Sequence, residues 1–431
     1  MTAIRPVSVF REILRRSIWV TAGSIIGRAL PLLAGVILTR TFGLEKFAVI
    51  GLVLTWIAVV PSLTTWGIGL VATQMMASRG ADYYFDIVKW SVLSSLFALV
   101  LIQLLLFSIG GSWLAKIYPG IPITDIGPAT LATGVCTSIF VLIQAFFNGA
   151  HQPKKLAGLL ATSGILQGLA LGCLVLQGDI SNGPLFVLIG AFITSAIAGI
   201  SFYSILMGNR DSRKSAGLDV VLWLRKIIPA ILSSASVAPV TFICASMITA
   251  SADGPRELGA FFALEQIGMV LTYIPTLIAQ STVPVLSRLI QEDEGKAVSY
   301  VLRMAKYQFL ALAAVLCVAV ATAPILLSLY GQLSDFRYAY FLLLANVLIS
   351  VPLGTIGTYL QAAGKFVTGS VLNFVWAGLF VVASILLREG GAAGIEASRL
   401  IATCLLGVLT LVLIYLSVRR FEPGKIIKEA V

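Results

Sequence analysis

Charge is what this sequence has least of. Across 431 residues, Asp, Glu, Lys and Arg together make up 11%, against 58% apolar residues and a mean hydropathy of +0.98. Soluble chains carry about a quarter charged residues, so a soluble fold is excluded and a membrane protein is expected. Histidine is nearly absent too. The single His151 falls in a short polar break, and no Ser/His/Asp or paired-carboxylate arrangement can be built from the apolar runs, so no enzymatic role is expected. Cys136, Cys173, Cys244, Cys317 and Cys404 all lie inside apolar runs without CxxC or Cys/His spacing, which supports neither a disulfide framework nor a metal site; no cofactor is expected. The Gly-Lys pairs at Gly295, Gly364 and Gly424 are never followed by Ser or Thr, so a nucleotide-binding P-loop is missing. Lys and Arg are nowhere gathered with aromatics on one water-facing stretch, and a nucleic-acid partner is therefore not expected.

What is present is apolar sequence in long runs. A spanning helix needs about 20 mostly apolar residues, and polar, Gly/Pro or charged breaks divide the chain into twelve such runs. They lie near 17–39, 47–73, 89–110, 125–148, 156–177, 184–208, 226–250, 258–284, 303–330, 336–361, 366–387 and 394–418. The first follows Arg5, Arg11, Arg15 and Arg16 but is too long for a signal peptide, and is read as a retained helix. If the N-terminus is cytoplasmic, 22 of the 30 Lys and Arg fall in cytoplasmic segments and six in the opposite loops. The positive-inside rule then places both termini in the cytoplasm. The cytoplasmic cations with ten acids give +12, the outer loops give −1, and four embedded charges cancel, so the net +11 reflects topology. The two longest polar connections, 209–225 and 285–302, are both expected on the cytoplasmic side.

The two halves of the chain share landmarks. Pro31, Gly43 and Pro61 correspond to Pro239, Gly254 and Pro275 at offsets of 208, 211 and 214. The expected architecture is an all-α, polytopic membrane protein with twelve transmembrane helices in two six-helix lobes, 1–210 and 211–431, and a substrate path between parallel repeats.

Four stretches carry a family resemblance. Leu38-Thr-Arg40-Thr-Phe42-Gly43-Leu-Glu-Lys-Phe47-Ala48 resembles the R-x-hydrophobic-G-x-x-x-aromatic-small turn after helix 1 of Wzx-type polysaccharide flippases, members of the multidrug/oligosaccharidyl-lipid/polysaccharide exporter (MOP) superfamily. Pro284-Val-Leu-Ser287-Arg288-Leu289 is similar to the P-x-L-S-R-L end of helix 8 in that family. Gln361-Ala-Ala-Gly364-Lys365 is similar to its Q-A-x-G-[RK] end of helix 10, and Gly390-Gly-Ala-Ala-Gly394-Ile-Glu-Ala to its start of helix 12. The resemblance spans the chain and implies a V-shaped fold that moves an undecaprenyl-pyrophosphate-linked repeat unit across the inner membrane by alternating access. Implied partners are the lipid-linked oligosaccharide, membrane lipids and a polysaccharide polymerase or chain-length complex. A cation-coupled multidrug antiporter of the same superfamily and a non-transporting subunit of a polysaccharide assembly complex are the alternatives.

Two charges lie deep in spans. Arg28 is eleven residues into the first run, about 16 Å, and Glu265 seven residues into the eighth, about 10 Å. An unpaired charge at such depth costs several kcal/mol, so both should face protein or a water-filled cavity. The functional reading gives Arg28 a phosphate of the substrate, a role suited to a permanently charged, multidentate guanidinium, and makes Glu265 an ion-coupling carboxylate. The structural alternative is an Arg28 to Glu265 or Arg28 to carbonyl contact. Gln266 and Gln280, on the same helix as Glu265, are candidates for sugar hydroxyls. Glu396 and Arg399, three apart in the outer turn of helix 12, are expected to form a structural pair. Arg210, Arg213, Lys214, Arg225 and Lys226 between the halves are candidates for attracting an anionic substrate.

Overall fold

The computed structural model describes residues 6–79, 83–109, 118, 123–150, 152–179, 182–208, 219–250 and 253–419. His151, Arg210, Arg213 and Lys214 lie outside them. The described residues form helices and no strands: α1 (Pro6–Thr64), α2 (Trp66–Arg79), α3 (Tyr84–Ile109), α4 (Ile123–Gly149), α5 (Pro153–Gln177), α6 (Gly183–Gly208), α7 (Val220–Ala235) and α8 (Ala238–Ser246), followed by α9 (Gly254–Glu292), α10 (Glu294–Ala321), α11 (Ala323–Leu329), α12 (Arg337–Ala362), α13 (Phe366–Leu387) and α14 (Gly391–Arg419).

Nine stretches among the described residues are long and apolar enough to cross a membrane. The sequence divides into twelve apolar runs. Two of the nine, Ile18–Thr64 and Phe366–Leu413, are 47 and 48 residues long, each enough for two crossings at about 20 residues apiece. α9 carries five charged residues, Arg256, Glu257, Glu265, Arg288 and Glu292, of which only Glu265 falls between Glu257 and Arg288. Within α1 the break is at Gly43, whose φ of 79° and ψ of 168° leave the helical region and suit a residue without Cβ. The glycine of the first family turn thus divides α1 into two spanning pieces. Gly364, in the Q-A-x-G-K stretch, also has positive φ, 69°, and ends α12.

The polar connection expected over 285–302 is helical. α9 runs to Glu292, and Asp293 alone separates it from α10, its carboxylate accepting from the Lys296 N–H at 3.0 Å as an N-cap. The chain is polar there because the helices continue beyond their apolar portions. The landmark prolines differ in effect: beside Pro239 the helix is interrupted, α7 ending at Ala235 and α8 beginning at Ala238, whereas Pro31 and Pro61 lie inside α1.

The outer surface of the bundle is apolar, as lipid contact requires. On α3, Leu93, Leu96, Phe97, Val100, Leu101 and Leu104 are exposed at helical spacing, Phe97 by 71%. Small residues set the closest approaches. Gly23 lies over the Ala157 backbone, Gly27 over Leu160, Gly164 over Gly27 and Gly168 over Leu30, so two glycine pairs four apart bring α1 and α5 into backbone contact.

The halves of the chain meet along two seams. One joins the Leu44–Arg79 stretch to α7 and α8: the Trp56 and Phe242 rings are 5.2 Å apart, Ser234 Oγ donates to the Ser62 carbonyl at 2.7 Å, Gly67 abuts Ala230, and Lys226 Nζ donates to Gln74 Oε1 at 3.2 Å. The other joins α1 to α9, with Gly259 against the Leu44 carbonyl, Gly51 against Phe262 and Gly35 against Gln266.

Candidate functional site at the α1 to α9 seam and the α9 to α14 junction

Helical spacing orders the second seam. Arg28 and Gly35 are seven apart on α1, and Gln266 and Tyr273 are seven apart on α9; seven residues are close to two turns, so each pair shares a face. The helices run antiparallel, which places Gly35 against Gln266 and Arg28 against Tyr273. The Arg28 guanidinium sits 4.5 Å from the centroid of the Tyr273 ring, close enough for a cation–π contact, and Arg28 is exposed. The carboxylate of Glu265 is not its partner, which removes the Arg28 to Glu265 pairing: one residue along from Gln266 is a rotation of about 100°, and it turns Glu265 away from α1 toward α14. Gln266 Oε1 is buried without a hydrogen-bond partner. Gln280 is a further seven residues along α9 from Tyr273, and its side chain lies outside those described.

Glu265 meets Glu396 and Arg399 instead. α9 and α14 start at the same end of the bundle, where Glu257 Oε2 accepts from the Ala392 N–H at 2.8 Å and ties the two N-termini together. Gly391, with φ 56°, makes room: a side chain there would strike the Glu257 carboxylate. Eight residues on from Glu257 and seven on from Ala392, at equal rise per residue, the two helices bring Glu265 and Arg399 side by side. Arg399 Nη1 donates to Glu265 Oε1, and lies 3.5 Å from Glu396 Oε1. Glu396 is fully buried, and the Arg399 and Glu265 side chains are 10% and 25% exposed. The guanidinium also packs between the Phe261 and Phe380 rings, at 5.4 and 5.7 Å. The expected Glu396 to Arg399 pair is present, and Glu265 joins it as the third member of a buried triad. Spacing within helix 12 pairs residues 396 and 399, but nothing local to that helix shows that α9 covers them. Three ionisable residues inside apolar runs were the available signal.

Two family stretches meet elsewhere. Ser287, from Pro284-Val-Leu-Ser287-Arg288-Leu289, donates to the Ala362 carbonyl at 3.1 Å, beside the Gly364 turn. Next to that turn, Glu294 Oε1 accepts from Tyr359 Oη at 2.6 Å and Lys365 Nζ at 2.7 Å. Hydrogen bonds from Lys365 and Tyr359 hold the Glu294 carboxyl below its ordinary range, and Glu294 in turn holds Lys365 above the usual lysine range. A cavity of about 220 Å³ opens between α7, α12, α13 and α14, with Ser233, Gln361, Lys365, Asn373 and Thr410 as its polar lining. Asn373 Nδ2 donates there to Ser233 Oγ at 2.8 Å.

The described residues form a polytopic helical bundle, and solved structures share its fold. An outward-facing multidrug resistance MATE family transporter of the MOP superfamily aligns with a TM-score of 0.69 at 17% identity, over 95% of this chain and 96% of that one. A MOP superfamily transporter from Pyrococcus furiosus, whose binding pocket is described as reversed in polarity, aligns with a TM-score of 0.74 at 16% identity, over 95% and 97%. The model of the polysaccharide biosynthesis protein family matches residues 13–290, and the chain belongs to that family. The EPS I polysaccharide export inner membrane protein EpsE of Ralstonia nicotianae is 27% identical over 287 residues, 63% of each chain. The protein of the same name from Ralstonia solanacearum is 25% identical over the same length and shares. The chain thus spans just under two thirds of these relatives.

Proposed function

We propose that this chain is a flippase that moves an undecaprenyl-pyrophosphate-linked oligosaccharide repeat unit across the bacterial inner membrane for surface polysaccharide synthesis. Lobe 1–210 rocks against lobe 211–431 about the two seams, and both termini face the cytoplasm, as the 22 to 6 distribution of cations favours. Membership of the polysaccharide biosynthesis family and similarity to proteins named for polysaccharide export support the cargo class.

The observation that carries the reading is Arg28: an exposed, permanent cation well inside an apolar span, on the seam between the halves and stacked on Tyr273 from the other half. An arginine there is tolerated where it faces water or an anion, and the pyrophosphate of the lipid carrier supplies the anion. Gln266, with its buried unpartnered oxygen, and Gln280, two turns beyond Tyr273, offer hydrogen bonds to the sugar or phosphate as the seam parts. Glu265 is the coupling group, joined by its backbone to Gln266 and by its side chain to the triad. A cationic-drug antiporter shares the fold, but a cation exposed on the seam repels such a cargo.

The test is Arg28→Ala in a strain whose surface polysaccharide depends on this chain. Polysaccharide output falls by at least about tenfold, equivalent to losing ~1.4 kcal/mol of substrate interaction, while membrane insertion and melting behaviour are kept; Arg28→Lys retains part of it. Normal output from Arg28→Ala removes the cavity role.

A further inference from the structure

The buried triad does not balance its charge. With both carboxylates ionised, Glu265, Glu396 and Arg399 sum to −1 in the apolar interior of a spanning bundle. Glu396 is 0% exposed and its Oε2 has no hydrogen-bond partner. Glu265 takes the close Arg399 Nη1 contact, leaving Glu396 Oε1 3.5 Å from the same nitrogen. Both carboxylates therefore converge on one Arg399 nitrogen, and one cation serves two anions unless one of them carries a proton.

Among the described residues, the elements packed against Glu396 supply no second cation. The charged groups facing Glu396 are Glu265 of α9 and Arg399 on its own helix, and the Cys244 thiol of α8 lies near the same Arg399. α13 contributes Phe380 and contains no charged residue. The one charged residue of α12 is Arg337, at its first position, and Arg388 and Glu389 before α14 are exposed.

We propose that Glu265 and Glu396 share one proton beside Arg399, which makes the triad a proton-binding site. The proton adds to one carboxylate oxygen; the resulting O–H donates to the other carboxylate, fills the vacant acceptor on Glu396 and brings the cluster to neutrality, as like charges at close range in low dielectric demand. Glu265, the more exposed of the two, is the route of entry. Loss of the proton restores −1 and loosens the Glu265 contact to Glu396, and Glu265 adjoins Gln266 on the α1 seam. The proposal rests on reading Glu265 as the coupling group and adds Glu396, the proton and the stoichiometry.

The experiment is difference infrared spectroscopy of the purified full-length protein in lipid nanodiscs, unlabelled and with carboxyl-13C glutamate, titrated between about pH 5 and pH 9. The wild type shows a protonated glutamic-acid band at neutral pH that moves on labelling. Glu265→Gln and Glu396→Gln each lose it, because a single remaining carboxylate is neutralised by Arg399. No such band in the wild type overturns the proposal without using any variant. A band that survives in Glu265→Gln overturns the sharing, because the proton then belongs to Glu396 by burial alone. Because the readout is proton occupancy, it is separate from whether Arg28 variants transport: an intact band in a protein that moves no lipid-linked sugar leaves the triad standing and removes the flippase reading.

Discussion

At Gly259 there is no room for a side chain, because the Leu44 carbonyl of the other half occupies the space where a Cβ would stand. Gly259→Ala forces the seam apart or strains its backbone, at a cost of about 1–3 kcal/mol. In a scanning fluorimetry melt the variant unfolds several degrees below the wild type, whereas Gly378→Ala, which has open space around it, leaves the midpoint unchanged; equal midpoints for both would show that the seam contributes nothing. Residues of this kind were half legible in the sequence. Gly43 stood out because a glycine between apolar runs marks a turn, and its positive φ agrees. Arg28 stood out by its depth in an apolar run. The partners of Arg28 and Glu265 did not, since Glu265 and Arg399 are 134 positions apart and helical periodicity says which face a residue occupies without saying which helix covers that face.

Among the elements, the junction of α9, α10, α12 and α13 is held by polar contacts outside the apolar spans. Glu294 gains stability from its folded-state hydrogen bonds, and its carboxyl is held low, so this contribution is present above the ordinary glutamate range and is lost as pH falls through the lowered folded value. Lys365 is held high, so its contribution persists up to the usual lysine range and is lost only above it. The melting difference between wild type and Glu294→Gln is therefore constant from about pH 7 to pH 9 and shrinks as the pH approaches about 3.5. A difference that grows on acidification would contradict the pairing. The sequence marked this region only as polar, and polarity alone does not separate a loop from a helix that has left the membrane. Asp293, followed by Glu294 and three residues before Lys296, was the helix-start signal that distinguishes them.

For the whole molecule, the sequence conveyed an all-helical membrane bundle and its family turns, because apolar run length and glycine placement are local properties. It could not convey that the halves meet through two packed seams, α1 with α9 and the Leu44–Arg79 stretch with α7 and α8, since those contacts depend on the assembled bundle. The central claim is that the halves part along these seams to pass a lipid-linked anionic sugar. It is tested most directly in proteoliposomes loaded with a labelled polyprenyl-pyrophosphate oligosaccharide, using a cysteine-free background carrying Ser62→Cys and Ser234→Cys, the positions joined by the 2.7 Å contact. The reduced protein should translocate the lipid-linked sugar, the oxidised protein should not, and reductant should restore the rate. Equal rates in the oxidised and reduced states, or movement of a cationic drug in place of the sugar, would contradict it.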